Sequence, residues 1–124
     1  MAGSERSSAA RFLLTRTAAL DLRDIHRHSR CEWGDAVADS YISDLYAVMR
    51  RAAENPALGR LRHERSAPFL MLPARKHFVI YDVMPQGVVI LTVQHQVRDI
   101  EALIKSLTPV FLAEIMRIRD EAAG

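Results

Sequence analysis

The sequence predicts an α+β fold in which a helical hairpin packs on a small antiparallel sheet, in the order β-α-α-β-β-β-α. Two observations predict this class. Apolar residues between positions 18 and 54 recur at the spacing of helix faces. Positions 68 to 95 are instead rich in β-branched and aromatic residues and are interrupted by a turn signal. A helical pattern returns after the strands, which predicts an extra C-terminal helix.

The first elements are a strand and a helix. "RFLLTR" (11–16) is a short apolar run that predicts a strand, and Thr17 is expected to cap the helix that follows. Gly34 is expected to end this helix, and Asp35 to cap the next one. Trp33, beside the glycine, is interpreted as a core anchor of the helical turn. The buried face of the first helix is predicted from residues at helical spacing, namely Ala18, Leu22, Ile25 and Ser29.

The second helix is predicted over 35–54 and carries a wide apolar face. Asn55-Pro56 is expected to end it, because the residue before a proline is pushed out of the α region. One apolar stripe contains Val37, Tyr41, Leu45, Val48 and Ala52. A neighbouring stripe contains Ala38, Ile42, Met49 and Ala53. A face this wide predicts burial against more than one element.

Three strands are predicted after the helices, as an antiparallel meander over 68–72, 76–83 and 87–95. "MPQG" (84–87) marks the turn between the last two. The segment 99–107 returns to helical spacing. Thr108-Pro109 resembles an N-cap followed by proline at the first helical position, so a separate final helix is predicted over 110–122.

The stretch "PARKHFVIYDV" (73–83) holds most of the chemically active side chains. Since strand residues alternate between faces, Phe78 and Ile80 are expected under the helices, with His77 and Tyr81 on a half-polar opposite face. For an enzyme, the candidate acids, bases and phosphate ligands for RNA cleavage are Arg75, Lys76, His77, Tyr81 and His95. The alternative is that these residues are cross-strand neighbours whose hydrogen bonds are satisfied within the fold.

Composition restricts the class of protein. The chain has 124 residues, a net charge of +2 and one cysteine, Cys31, which fits a single cytoplasmic domain without an internal disulfide. No apolar run approaches the ~18 residues of a membrane span, and the start lacks the apolar core of a secretory signal. Residues 1–10 are small and polar and are expected to be disordered. No metal site is expected, because the histidines are not at ligand spacing.

Several short sequence segments, in their order along the chain, resemble motifs of the ParE/RelE toxins of bacterial toxin–antitoxin modules. "FLLTRTAALDLRDI" resembles the A-x-x-D-L-x-x-I of the family's first helix, and "NPALGRLR" the segment after its second. "KHFVIYDV" resembles the H-x-I-x-Y strand, and "VVILTVQHQVRDI" the strand that ends in V-L-H-x-x-R-D. The resemblance covers about residues 12 to 105. It implies a toxin domain over 11–106 and a C-terminal helical extension over 107–124.

The family contains two functional classes. RelE-like members are ribosome-dependent mRNA endoribonucleases, whereas ParE-like members inhibit DNA gyrase. The long helical hairpin and the "NPALGRLR" connection resemble the ParE-like class, and Phe78 stands where RelE-like members usually carry a basic residue. The resemblance therefore implies a gyrase inhibitor that is not an enzyme and needs no cofactor. RNA cleavage at the ribosome is the alternative, and an inactive relative retained for antitoxin binding is a third possibility.

The resemblance also implies partners and surfaces. A cognate antitoxin would wrap the chain with an extended segment; neither membrane binding nor sequence-specific DNA binding is expected. The candidate antitoxin-binding residues are Val37, Tyr41, Leu45, Val48 and Met49. The candidate target-binding residues are Arg75, His77, Tyr81, His95 and Arg98.

Overall fold

The computed structural model describes residues 11–61, 69–96 and 100–123. Within these ranges the chain forms a helical hairpin, a five-stranded sheet and a C-terminal helix. The predicted α+β class and the order of the main elements are confirmed. No helix in the described ranges is both long enough and apolar enough to cross a membrane.

The sheet is mixed rather than purely antiparallel. Its strands are β1 (Phe12–Leu14), β2 (Arg60–Leu61), β3 (Leu70–Ala74), β4 (His77–Met84) and β5 (Gly87–His95), in the spatial order β1-β5-β4-β3-β2. β1 runs parallel to β5, and the other neighbours are antiparallel. β2 was not predicted, since two residues carry no periodic signal. Leu91 is an extra residue in β5, because Ile80 pairs with Thr92 whereas Tyr81 pairs with Ile90.

The hairpin consists of α1 (Arg16–Trp33) and α2 (Asp35–Glu54). Thr15, not Thr17, caps α1: its hydroxyl accepts the N–H of Ala18 at 3.0 Å and donates to the carbonyl of Leu91 at 2.8 Å. One side chain thus starts the helix and fixes it to β5. Gly34 ends α1 at φ 93°, a left-handed value that favours glycine. Asp35 is the first residue of α2 rather than its cap.

A second polar contact holds α1 against the sheet. The carboxylate of Asp21 accepts hydrogen bonds from the hydroxyl of Thr92 and from the backbone N–H of Val93. Burial raises the pKa of the Asp21 carboxyl, and the two donors oppose that rise. The contact fixes the position of α1 relative to β5, because one carboxylate must stay within reach of both donors.

Both faces of the sheet are covered. The hairpin buries one core, whose fully buried members include Ala18, Leu45, Met49, Ala52, Val79, Tyr81 and Ile90. The C-terminal helix α3 (Ile100–Ala123) buries a second core, whose members include Phe69, Ile80, Val89, Leu91, Phe111 and Ile115. Phe69 and Phe111 meet edge to face at 5.4 Å between ring centroids.

The expected orientation of β4 is therefore wrong. Val79 and Tyr81 face the helical hairpin, whereas Phe78 and Ile80 pack on the side of α3. Alternation shows which residues share a face of a strand, but it does not show which helix covers that face.

The separate final helix is also a wrong prediction. α3 is one continuous helix, Pro109 lies inside it, and Thr108 is not a cap. The proline cannot donate to the carbonyl four residues earlier, which costs helix stability. Burial of Phe111, Ile115 and Ile118 against the sheet compensates for this cost. The 106/107 boundary expected from the resemblance falls within this helix.

Candidate functional site

The tight turn between β3 and β4 is held by contacts from two sides. Arg75 occupies it at φ 58°, a left-handed value unusual for a residue with a side chain. Its guanidinium lies 3.2 Å from the carboxylate of Asp44 and stacks 5.0 Å from the ring centroid of Tyr41. These two contacts with α2 hold the turn against the hairpin.

Gln96, just past β5, binds the same turn from the other side. Its backbone N–H donates to the carbonyl of Lys76 at 2.9 Å. Its side-chain amide donates to the carbonyls of Arg75 at 3.1 Å and His77 at 2.9 Å. Three consecutive carbonyls are thus satisfied by one residue, which fixes the backbone that presents the basic side chains.

His77 begins β4 and is half-buried against α2. Its Nδ1 lies 2.7 Å from the hydroxyl of Tyr41, and its ring meets that of His95 edge to face at 5.1 Å. Burial, together with the nearby His95, lowers the pKa of His77 to about 4. His77 is therefore neutral at pH 7, when it can donate from one ring nitrogen and accept at the other.

A groove of about 590 Å³ opens beside these residues. Its walls come from α1, α2, the β3–β4 turn, the start of β4 and the end of β5. Asp24 and His28 line it from α1, and Trp33 and Val37 form an apolar wall. Trp33 is 71% exposed and Val37 44%, so this wall is open to solvent. The interpretation of Trp33 as a core anchor is wrong.

Four of the candidate target-binding or nuclease residues line this groove together: Arg75, Lys76, His77 and His95. Lys76 and His95 are exposed, and Arg75 has a half-exposed side chain. Arg98 lies outside the described residues. The arrangement offers cationic donors and a neutral imidazole beside an exposed indole, a combination suited to binding an acidic and partly aromatic partner surface.

Tyr81 does not belong to this surface. Its side chain is fully buried, and its hydroxyl donates to the carbonyl of Pro56 at 2.6 Å while accepting the N–H of Gly59 at 2.8 Å. Burial raises the pKa of the phenol. The expectation that Tyr81 contacts a target or acts on RNA is therefore wrong for this conformation. The error follows from the reversed orientation of β4.

The candidate antitoxin-binding residues separate into two groups. Val37 and Tyr41 line the groove, and Val48 is partly buried at the edge of the hairpin core. Leu45 and Met49 are 0% exposed and lie within that core, so in this conformation they have no surface for an antitoxin. When the apolar face of a helix is this wide, its central residues are buried and only the residues at its two edges remain accessible.

Sequence reasoning missed Asp24, His28 and Gln96 as parts of the site. Asp24 and His28 are four apart on α1 and so share a helix face, a signal that was available. Gln96 carries no such signal, since its role depends on where the β3–β4 turn lies. Among the described residues, no cluster of three or more histidine, cysteine or acidic side chains could hold a metal ion.

Comparison with known proteins now decides the family. Residues 12–100 match the family model described as the ParE toxin of the type II toxin–antitoxin system, parDE. This chain belongs to the ParE toxin family. It is thus a type II toxin, and membership implies a cognate antitoxin as its partner.

Relatives of known identity agree with this assignment to ParE. A Mycobacterium tuberculosis protein named Toxin ParE1 is 31% identical over 94 residues, covering 75% of this chain and 96% of the relative. A Caulobacter vibrioides Toxin ParE1 is 33% identical over 85 residues, covering 68% and 88%. A solved chain from the chromosomal ParDE system of P. aeruginosa has a TM-score of 0.61 at 20% identity, over 72% of this chain and 98% of the other, which supports the ParE fold.

Proposed function

We propose that this ParE toxin inhibits DNA gyrase by protein–protein binding and that its antitoxin neutralises it. The groove beside the β3–β4 turn is the proposed contact surface for gyrase. Arg75 and Lys76 supply its cationic rim, His95 adds an exposed imidazole, and Trp33 supplies an exposed aromatic anchor. Arginine and tryptophan are the residue types that most often dominate binding energy in protein interfaces.

The buried hydroxyl of Tyr81 is the observation that carries this proposal over an enzymatic one. The phenol uses its proton on Pro56 and accepts from Gly59, so it is not available to a substrate. His77 is a poor general acid at pH 7, because its pKa of about 4 leaves it unprotonated. A surface that binds without bond breaking requires neither group to transfer a proton.

Neutralisation is proposed to occur along the exposed flank of the hairpin. Val37 and Tyr41 lie on that flank beside the groove, and Val48 lies further along α2. An extended or helical antitoxin segment that covers Val37 and Tyr41 would also restrict access to the groove.

A supercoiling assay with purified gyrase tests the proposal. Relaxed plasmid, ATP and gyrase are titrated with wild-type protein, and both supercoiled and linear DNA are scored. We expect inhibition with trapped linear DNA. Arg75→Ala should raise the concentration for half-inhibition at least about tenfold, the loss of ~1.4 kcal/mol of binding free energy.

Arg51→Ala is the matched control, since Arg51 is an exposed arginine on α2, ten residues and roughly 15 Å along the helix axis from Tyr41. It should inhibit gyrase as the wild type does. If wild-type protein in large excess leaves supercoiling unchanged, gyrase is not the target.

Ribosome-dependent RNA cleavage is the second candidate, favoured by one observation. Lys76, His77 and His95 lie together at one end of the sheet, with the two histidine rings in contact. If this function holds, His95→Ala should abolish mRNA cuts mapped in a translation extract without altering the circular dichroism spectrum. Cuts that persist in both His95→Ala and His77→Ala would exclude it.

A further inference from the structure

The hydroxyl of Tyr41 is the shared hydrogen-bond partner of two groups in the β3–β4 turn. It accepts the backbone N–H of Lys76 at 3.1 Å and lies 2.7 Å from Nδ1 of His77. The same ring carries the guanidinium of Arg75 on its face. One side chain of α2 therefore contacts three consecutive residues of the proposed gyrase-binding surface.

We propose that Tyr41 and Gln96 are positioning residues of that surface: Tyr41 holds His77 with its proton on Nε2, and Gln96 holds the backbone of the turn that presents Arg75 and Lys76. This inference rests on the proposed function of the groove. Neither residue needs to touch the target for its loss to weaken binding.

The tautomer of His77 follows from counting donors. The Tyr41 hydroxyl accepts from Lys76, and Nδ1 of His77 is the neighbouring acceptor that its one proton can reach, so in the proposed arrangement that proton points at Nδ1. A neutral imidazole carries one proton, so an accepting Nδ1 places that proton on Nε2. Burial and the nearby His95 from β5 favour the neutral form of the ring. The other charged or titratable groups that line the groove are Arg75 and Lys76 from the turn and His28 and Asp24 from α1.

Gln96 acts on the backbone rather than on a side chain. Its amide group bridges the carbonyls of Arg75 and His77, on either side of Lys76, and its N–H takes the carbonyl of Lys76. Arg75 lies in a left-handed conformation that persists only where surrounding contacts enforce it. Gln96 supplies those contacts from just past β5, as Tyr41 and Asp44 do from α2.

Nitrogen NMR of the imidazole rings in ¹⁵N-labelled protein tests the first role without any target. At pH 7 we expect His77 to show a protonated Nε2 and an unprotonated, hydrogen-bonded Nδ1. In Tyr41→Phe the Nδ1 resonance should move to the position of a nitrogen without that bond. Tyr46→Phe is the matched control, because Tyr46 lies on the same helix and packs its ring against Phe12. A wild-type proton on Nδ1, or an unmoved Nδ1 resonance in Tyr41→Phe, would overturn the assignment.

Growth arrest on expression tests the positioning roles in cells and requires no knowledge of the target. Tyr41→Phe and Gln96→Ala should each need at least about tenfold more protein for arrest, with melting curves that remain cooperative. Gln86→Ala, an exposed glutamine in the turn at the other end of β5, should behave as wild type. Arrest by both variants at the wild-type level contradicts the positioning roles. Failure of the wild type to inhibit gyrase refutes the proposed target alone, because neither readout here involves gyrase.

Discussion

The phenol of Tyr81 joins the central strand of the sheet to the chain that follows α2. It binds the carbonyl of Pro56, the first residue of the short 3₁₀ turn Pro56–Leu58, and the N–H of Gly59, the residue after that turn. A Cβ at Gly59 would overlap the Tyr81 hydroxyl, so the glycine is needed for close approach and not for an unusual backbone angle. The tyrosine and the "NPALG" string thus form one structural unit.

Tyr81→Phe should lower the free energy of unfolding by about 1–3 kcal/mol, because it leaves two partly buried backbone groups without their partner. Urea denaturation followed by circular dichroism measures the change. Tyr46→Phe serves as the control and should alter the value by less than about 0.5 kcal/mol. Unchanged stability together with lost growth arrest would restore a direct functional role to Tyr81.

At the level of elements, α3 is a helix stabilised by its packing despite a local defect. Phe111, Ile115 and Ile118 lie on its buried face, while Val110, Leu112 and Met116 are exposed. Pro109 interrupts the hydrogen bonding two residues before Phe111, the first fully buried contact on this face. Tertiary burial therefore outweighs a helix-interior proline, whose cost is ~3 kcal/mol.

Pro109→Ala should raise the free energy of unfolding by about 1–3 kcal/mol, because it restores the N–H that the carbonyl of Lys105 lacks. Val110→Ala, at the adjacent and exposed position, should stay within about 0.5 kcal/mol of wild type. The measurement is again urea denaturation. A loss of stability in Pro109→Ala would mean that the bend imposed by the proline is needed for α3 to pack on the sheet.

At the scale of the whole molecule, two layers of helix enclose one sheet and bury polar groups between them. Burial opposes the charged form of a titratable group, so the half-buried Asp21 and His77 give opposite pH dependences. Asp21 has a raised pKa, and its contribution to stability is present at low pH and lost as the pH rises through that folded value. His77 has a lowered pKa, and its contribution is present above pH 6.5 and lost as the pH falls toward about 4.

His77→Gln should therefore flatten the acid side of the stability profile. Wild-type protein should lose stability more steeply than the variant as the pH falls from 6.5 to about 4, because folding must exclude a proton that the unfolded chain binds. Asp21 is present in both proteins, so the difference between the two profiles isolates the histidine. Urea denaturation at several pH values provides the comparison, and a difference that does not vary with pH contradicts the assignment.

The sequence by itself determined the type and order of the main elements. Helical spacing placed α2 at the residues where it lies, Asn55-Pro56 marked its end, and "MPQG" marked the β4–β5 turn. These features depend on neighbours within a few positions, where side-chain periodicity and backbone restrictions act directly. The order of the short sequence motifs also indicated the resemblance to the ParE/RelE toxins.

Only the tertiary structure decided which side chains share the groove. Alternation in β4 predicted two faces, but whether the hairpin or α3 covers each face depends on contacts far apart in sequence. That choice buries Tyr81, brings His77 and His95 beside Tyr41 and leaves Trp33 exposed. Gln96 gained its role for the same reason: a side-chain amide binds whichever carbonyls the fold places near it, and strand register is set by packing of the whole core.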